Sequence, residues 1–174
     1  MKRFSLLVAV FLTLLASPGV RAETTQPLTD QYIAAIREGC SNALRGILQV
    51  QKSEAVTRVN RGREYESTLR LMVALNTRIV ANKLDVPALT SASSRLQAKF
   101  SDFQRHYLDY ADKMDATLAV NCKEAQVTFY DNLNAAREAR AVVANDVSQM
   151  ATIMDEYQAG LDAFKATVSQ GGES

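Results

Sequence analysis

Tryptophan is absent from this 174-residue chain, histidine occurs once, cysteine twice and proline three times. The single histidine, His106, has no recognisable partners for a catalytic triad or a zinc site. The two cysteines, Cys40 and Cys122, lack the further ligands a metal site needs. Strand-type alternation bounded by turn signals does not appear, which leaves no basis for a sheet. An excess of one charge is also missing, with 20 basic against 19 acidic residues. That balance argues against a dedicated nucleic-acid binder. No catalytic constellation stands out, so the expectation is a protein that is not an enzyme and carries no cofactor or metal.

The N-terminus reads as a secretory signal over residues 1–22. Lys2 and Arg3 form a basic start, and Leu6 to Ala16 is an apolar run interrupted only by Thr13. Such a run has the length of a signal core and is too short to span a bilayer. Val20-Arg21-Ala22 places cleavage after Ala22, the alternative being a segment retained as an anchor. Cleavage would remove three basic residues and no acids, leaving 17 against 19 over 152 residues, the size of one domain. No later stretch is apolar enough to span a membrane, and the expected location is extracytoplasmic: periplasmic, cell-surface or secreted.

What remains favours helix. Residues 23–28 read as a disordered leader, 29–168 as a helical domain and 169–174 as a disordered tail. Thr29 or Asp30 can cap a first helix running to about Asn82. Its apolar stripe, Ile33, Ile36, Cys40, Leu44, Ile47, Tyr65, Leu69, Met72, Leu75 and Ile79, advances in steps of three and four or their multiples. The stripe thins between Gln51 and Glu64, and Gly39, Gly46 and Gly62 each weaken the helix by about 1 kcal/mol relative to alanine. Asn82 is expected to end this helix in the left-handed conformation, Asp85 to cap the next, and Pro87 to occupy its first turn.

A second helix carries Leu89, Leu96, Phe100, Phe103, Tyr107, Tyr110 and Met114. Near Asn121-Cys122-Lys123 the stripe loses phase by one residue, about 100° around a helix. It resumes as Phe129, Leu133, Ala136, Val143, Val147, Met150, Met154, Tyr157, Leu161, Phe164 and Val168, a 3.5-residue period that implies supercoiling. The fold expected is all-α: an elongated up-down-up three-helix bundle with coiled-coil-like packing. One alternative stays open, a continuous helix over 87–168 that dimerises. Folding back near Leu84 brings Cys40 and Cys122 within about two turns of each other, so a disulfide between them is expected in an exported chain. Net-positive residues 29–82 and net-negative residues 124–168 suit parallel neighbours.

Three groupings are candidates for function. Arg58, Arg61 and Arg63 around Gly62, with Tyr65, form the candidate partner contact, since arginine and tyrosine recur at binding hot spots. Asp102, Asp109, Asp112 and Asp115 form an acidic series, best read as a solvated face because Arg105 and Lys113 interleave. The aromatics Phe100, Phe103, Tyr107 and Tyr110, with Met150 and Met154, sit at seam positions and read as core.

Thr57-Arg58-Val59-Asn60-Arg61-Gly62, Leu71-Met72, Leu75-Asn76-Thr77-Arg78-Ile79, Lys83-Leu84-Asp85, Asn121-Cys122-Lys123 and Phe129-Tyr130-Asp131 carry a resemblance. Over about residues 38–168 the chain resembles uncharacterised small exported α-helical proteins of ultrasmall candidate-phylum bacteria. The resemblance implies shape and export, and it assigns no activity and no functional residue. The functional expectation is an exported, non-enzymatic structural or partner-binding component of the cell envelope or secreted fraction. Its partner would be a protein or a cell-surface component, with homo-oligomerisation as a second mode. An envelope holdase chaperone is the alternative.

Overall fold

The computed structural model describes residues 29–171. The expected signal segment 1–22, the leader 23–28 and residues 172–174 lie outside the described residues. Three helices follow one another: α1 (Asp30–Ala81), α2 (Pro87–Ala119) and α3 (Gln126–Gly171). The fold is an all-α three-helix bundle. Helices α2 and α3 are separate, which removes the continuous 87–168 alternative. Helix α3 also continues to Gly171, past the point at which residues 169–174 were expected to become a tail. Helix α1 runs unbroken through Gly39, Gly46 and Gly62, where a Cβ would meet nothing within 4 Å.

The α1–α2 turn differs from expectation in two residues. Lys83, not Asn82, takes the left-handed conformation, with φ 61°. Lys83 N–H donates to Val80 O at 2.9 Å and Leu84 N–H to Ile79 O at 3.3 Å, the paired bonds of a Schellman stop. Asn82 contributes through its side chain instead, donating Nδ2–H to Arg78 O at 2.7 Å. Asp85 does not cap α2. Val86 holds the cap position with no side-chain bond, its side chain buried, and Pro87 begins the helix as expected. A lysine at positive φ is strained by about 1 kcal/mol, a strain glycine lacks. Lys83→Gly should therefore raise the melting temperature by roughly 2–4 °C. An unchanged or lower value in a thermal melt would show that the turn tolerates lysine without strain.

Residues 120–125 make the second turn. Asn121 organises it: its backbone carbonyl accepts from Glu124 N–H at 3.0 Å and Ala125 N–H at 2.9 Å, and its Oδ1 accepts from Lys123 N–H at 3.2 Å. This turn is the physical cause of the one-residue phase change between the α2 and α3 stripes.

The core divides along the bundle. At the α1–α2 turn a large cluster joins Tyr65, Met72, Ile79, Val86, Leu89, Leu96, Phe103, Met150, Ile153 and Tyr157. At the other end Cys40, Cys122 and Phe129 pack with Ile36, Leu44 and Leu133. Between them Tyr110, Met114, Ala136 and Ala139 are buried, and α1 adds only Ile47. Of the expected α3 seam, Met150 and Tyr157 are buried, while Leu133, Val143, Val147 and Leu161 are partly buried. Helix α2 packs most extensively on α3, and α1 lies mainly against α2.

A buried polar knot ties all three helices together. Asn76 of α1 donates Nδ2–H to Leu89 O at 3.2 Å and to Ser93 Oγ at 3.1 Å on α2. Tyr157 of α3 donates its hydroxyl to Asn76 Oδ1 at 2.9 Å. Every bond is internal, so the knot fixes the mutual register of the helices without leaving a buried group unpaired.

The expected pairing of a basic α1 with an acidic α3 is not what the helices make. Among the described residues the one ion pair between them is Glu54 with Arg140, at 2.6 Å, with the acid on α1 and the base on α3. The cations of α1 are thus left to face elsewhere.

Candidate functional site

A helix turns about 100° per residue, so Arg61 and Arg63 lie about 200° apart around α1. The four residues of the expected contact patch therefore do not form one surface. Tyr65 is 5% exposed and belongs to the core, edge-on to Phe100 and Phe103 with ring centroids 6.1 and 5.9 Å away. Arg58 lies over Tyr107 of α2, its guanidinium carbon 4.8 Å from the ring centroid. Arg61 and Arg63 are exposed on opposite flanks.

A different set shares a face. Arg45, Leu48, Lys52, Ala55, Val59 and Arg63 follow one another in steps of three or four and are all exposed. They form the flank of α1 that borders α2. Residues 41–63 hold five basic residues and one acid, Glu54. That acid points inward, accepting from the Tyr110 hydroxyl and from Arg140 Nε at 2.7 Å. None of the five bases forms an ion pair among the described residues. Exposed valines interrupt the charge, with Val56 63% and Val59 42% exposed.

The thin stripe of central α1 now has a structural counterpart. Where apolar side chains would face the core, half-buried Gln51 and Glu54 stand, with the exposed Arg58 beside them. Gln51 Nε2 donates to Asp115 Oδ1 at 2.5 Å, and Arg58 covers Tyr107. Two shallow depressions result between α1 and α2. One, of about 280 Å³, is walled by Lys52, Ala55, Tyr107, Ala111 and Met114. The other, of about 190 Å³, is walled by Val59, Gly62, Arg63, Glu66, Phe100 and Gln104. Burial raises the phenol pKa of Tyr107 against the lowering pull of Arg58, and burial and then the neighbouring Glu54 carboxylate raise that of Tyr110.

A further grouping, which sequence spacing does not reveal, joins α2 to α3. Asp146 of α3 is 2% exposed, yet carries a carboxylate. His106 Nδ1 lies 2.6 Å from Asp146 Oδ2, and Lys99 Nζ lies 3.6 Å from Oδ1. Lys99 also reaches Asp102 at 3.2 Å, and Arg105 reaches the same carboxylate at 2.9 Å. Hydrogen bonds from Arg105 and then Lys99 hold Asp102 below the usual carboxylate range. The imidazole–carboxylate pair resembles two members of a triad. Its geometry is that of a bridge between packed helices, and neither depression on the α1 flank is lined by its members. Of the acidic series, Asp102, Asp109 and Asp115 are engaged by Arg105, Lys113 and Gln51 respectively.

Cys40 and Cys122 are joined, their Cα atoms 5.6 Å apart, and tie α1 to the α2–α3 turn. Among the described residues no helix is long and apolar enough to cross a membrane, and no three His, Cys, Asp or Glu side chains gather as metal ligands do. No family model, no curated protein and no solved structure matches the chain.

Proposed function

We propose that the protein is an exported, non-enzymatic helical rod that engages a partner through the exposed central flank of α1. The observation that carries this reading is the run of unpaired cations, Arg45, Lys52 and Arg63, interleaved with exposed Leu48 and Val59. Here Glu54, the one acid of residues 41–63, is turned away, so the central flank presents net positive charge. The disulfide supports export, because such bonds persist in oxidising compartments. The resemblance to small exported helical proteins points the same way, to shape and compartment and to no activity. The holdase alternative needs an open apolar cavity, and the apolar side chains here are largely spent on the core clusters.

A photo-crosslinking amino acid at Val59 tests the reading, with the same group at Asp155, an exposed position on α3, as control. In the native compartment, crosslinks to a discrete partner are expected from Val59 and not from Asp155. They should weaken as salt rises, since exposed charges are screened within about 8 Å at physiological ionic strength. Equal crosslinking at both positions, or none at Val59, would remove the assignment of α1 as the contact surface.

A further inference from the structure

We infer that the α1–α2 groove is shaped to receive an acidic amphipathic helix of a partner polypeptide, a proposal that rests on α1 being the contact surface. Ala55 and Gly62, one in each depression, stand seven residues apart on α1. Ala111 and Gln104, their counterparts on the antiparallel α2, also stand seven apart. Small side chains thus recur at a two-turn spacing on the α1 wall, about 10 Å along the helix, and Ala111 of α2 lines the same depression as Ala55. Between the depressions, Arg58 stacked on Tyr107 forms a ridge.

A helix laid along this groove with apolar residues at i and i+7 sets one side chain on each side of that ridge. The spacing matches a helical ligand, whose side chains on one face recur every seven residues; an extended strand at the same distance would present alternate faces. Gly62 allows the closest approach, because space is open where a Cβ would stand. Exposed apolar side chains rim the groove, Val59 on the α1 lip and Leu108, 59% exposed, on the α2 lip.

Charge sets the sign of the ligand. The α1 lip presents Lys52 and Arg63, eleven residues apart, with Arg45 beyond them, and none has a carboxylate partner among the described residues. Among the residues lining the two depressions, Lys52, Arg58 and Arg63 stand against one acid, Glu66, which Arg70 already holds at 2.5 Å. Glutamates flanking the ligand's apolar stripe would pair with the α1 lip. Lysines there would face uncompensated like charge, which selects against a basic helix.

The experiment uses the full chain and two synthetic helical peptides. Both carry leucines at a seven-residue spacing, one flanked by glutamates and the other by lysines. Titration followed by backbone-amide NMR should move the resonances of Ala55, Gly62, Gln104 and Ala111 with the glutamate peptide. The lysine peptide should bind about tenfold more weakly or worse. The double variant Ala55→Leu, Gly62→Leu fills both depressions from the α1 side and favours helix, so the fold is retained and circular dichroism should not change. It should lower affinity for the glutamate peptide about tenfold. Equal binding of the two peptides, shifts confined to another face, or undiminished affinity in the double variant would overturn the groove assignment. So would titrating resonances that respond to phosphatidylglycerol vesicles in place of the peptide, or self-association of the chain through this groove. If Val59 crosslinks persist while the titrations fail, the groove is wrong and the α1 reading survives; if both fail, both fall.

Discussion

Reduction of the Cys40–Cys122 bond should destabilise the protein by roughly 4–5 kcal/mol on the chain-entropy argument, because the closed loop spans a sequence separation of 82. That is a large part of the 5–15 kcal/mol typical of a domain. The loss should also be uneven. Helices α2 and α3 keep their extensive mutual interface, whereas α1 between Leu48 and Glu64 meets its neighbours through Gln51, Glu54 and Arg58. Once the sulfur bridge is open, only the small cluster around Ile36, Leu44 and Ile47 holds the N-terminal half of α1. Hydrogen exchange on the reduced protein, or on Cys40→Ala, Cys122→Ala, should show protection lost over about residues 30–64 and retained around Met72, Leu96 and Met150. A uniform loss across the three helices would mean that the bundle unfolds as one unit and that the polar middle of α1 is not a weak point.

His106→Ala and Asp146→Leu should have unequal effects, although both break the same hydrogen bond. Removing the imidazole leaves a carboxylate in the core with only Lys99, 3.6 Å away, and the expected destabilisation is about 2–3 kcal/mol. Removing the carboxylate leaves two groups whose side chains are 27% and 23% exposed and able to turn to water. A leucine at 146 then adds to the surrounding apolar packing, and the change in stability should lie within about 1 kcal/mol of zero. Chemical denaturation of the two variants decides the matter. An Asp146→Leu protein much less stable than His106→Ala would mean that the carboxylate itself, through contacts beyond these two, is what the core requires.

Much of this fold was legible in the amino-acid order, and the reasons are local. Pro87 has no N–H to lose at a helix start, and Asn121 can bond its own following backbone, so both turns announce themselves. Helix lengths counted from those turns brought Cys40 beside Cys122. The candidate site was less legible, because nearness in sequence on a helix is not nearness on a face. Arg58, Arg61 and Arg63 read as one cluster and point three ways. Tyr65, read with them, is apolar enough to be drawn into the core against Phe100 and Phe103. Asp146 is one of the acids that make residues 124–168 net negative, yet it stands four residues before Met150, on the buried line of α3. Asn76 stands between Met72 and Ile79 in the same manner. In both cases a polar residue at a seam position signalled a partner on another helix, and only the packing could name it. The charge balance of α1 and α3 misled for a related reason: net charge summed over a helix says nothing of which side carries it.

The position of the sulfur bridge also decides how the rod carries a load. Cys40 lies near the start of α1 and Cys122 just before α3. A pull on the two ends of the chain therefore passes from Cys40 through the bond to Cys122 and on into α3. The 81 residues between them stand outside the line of tension. Oxidised, the protein forgoes about 280 Å of extension that those residues would otherwise yield when drawn out. The flank of α1 bearing Lys52, Val59 and Arg63 lies within that sheltered stretch, so a partner bound there would keep its seat while the ends are under strain.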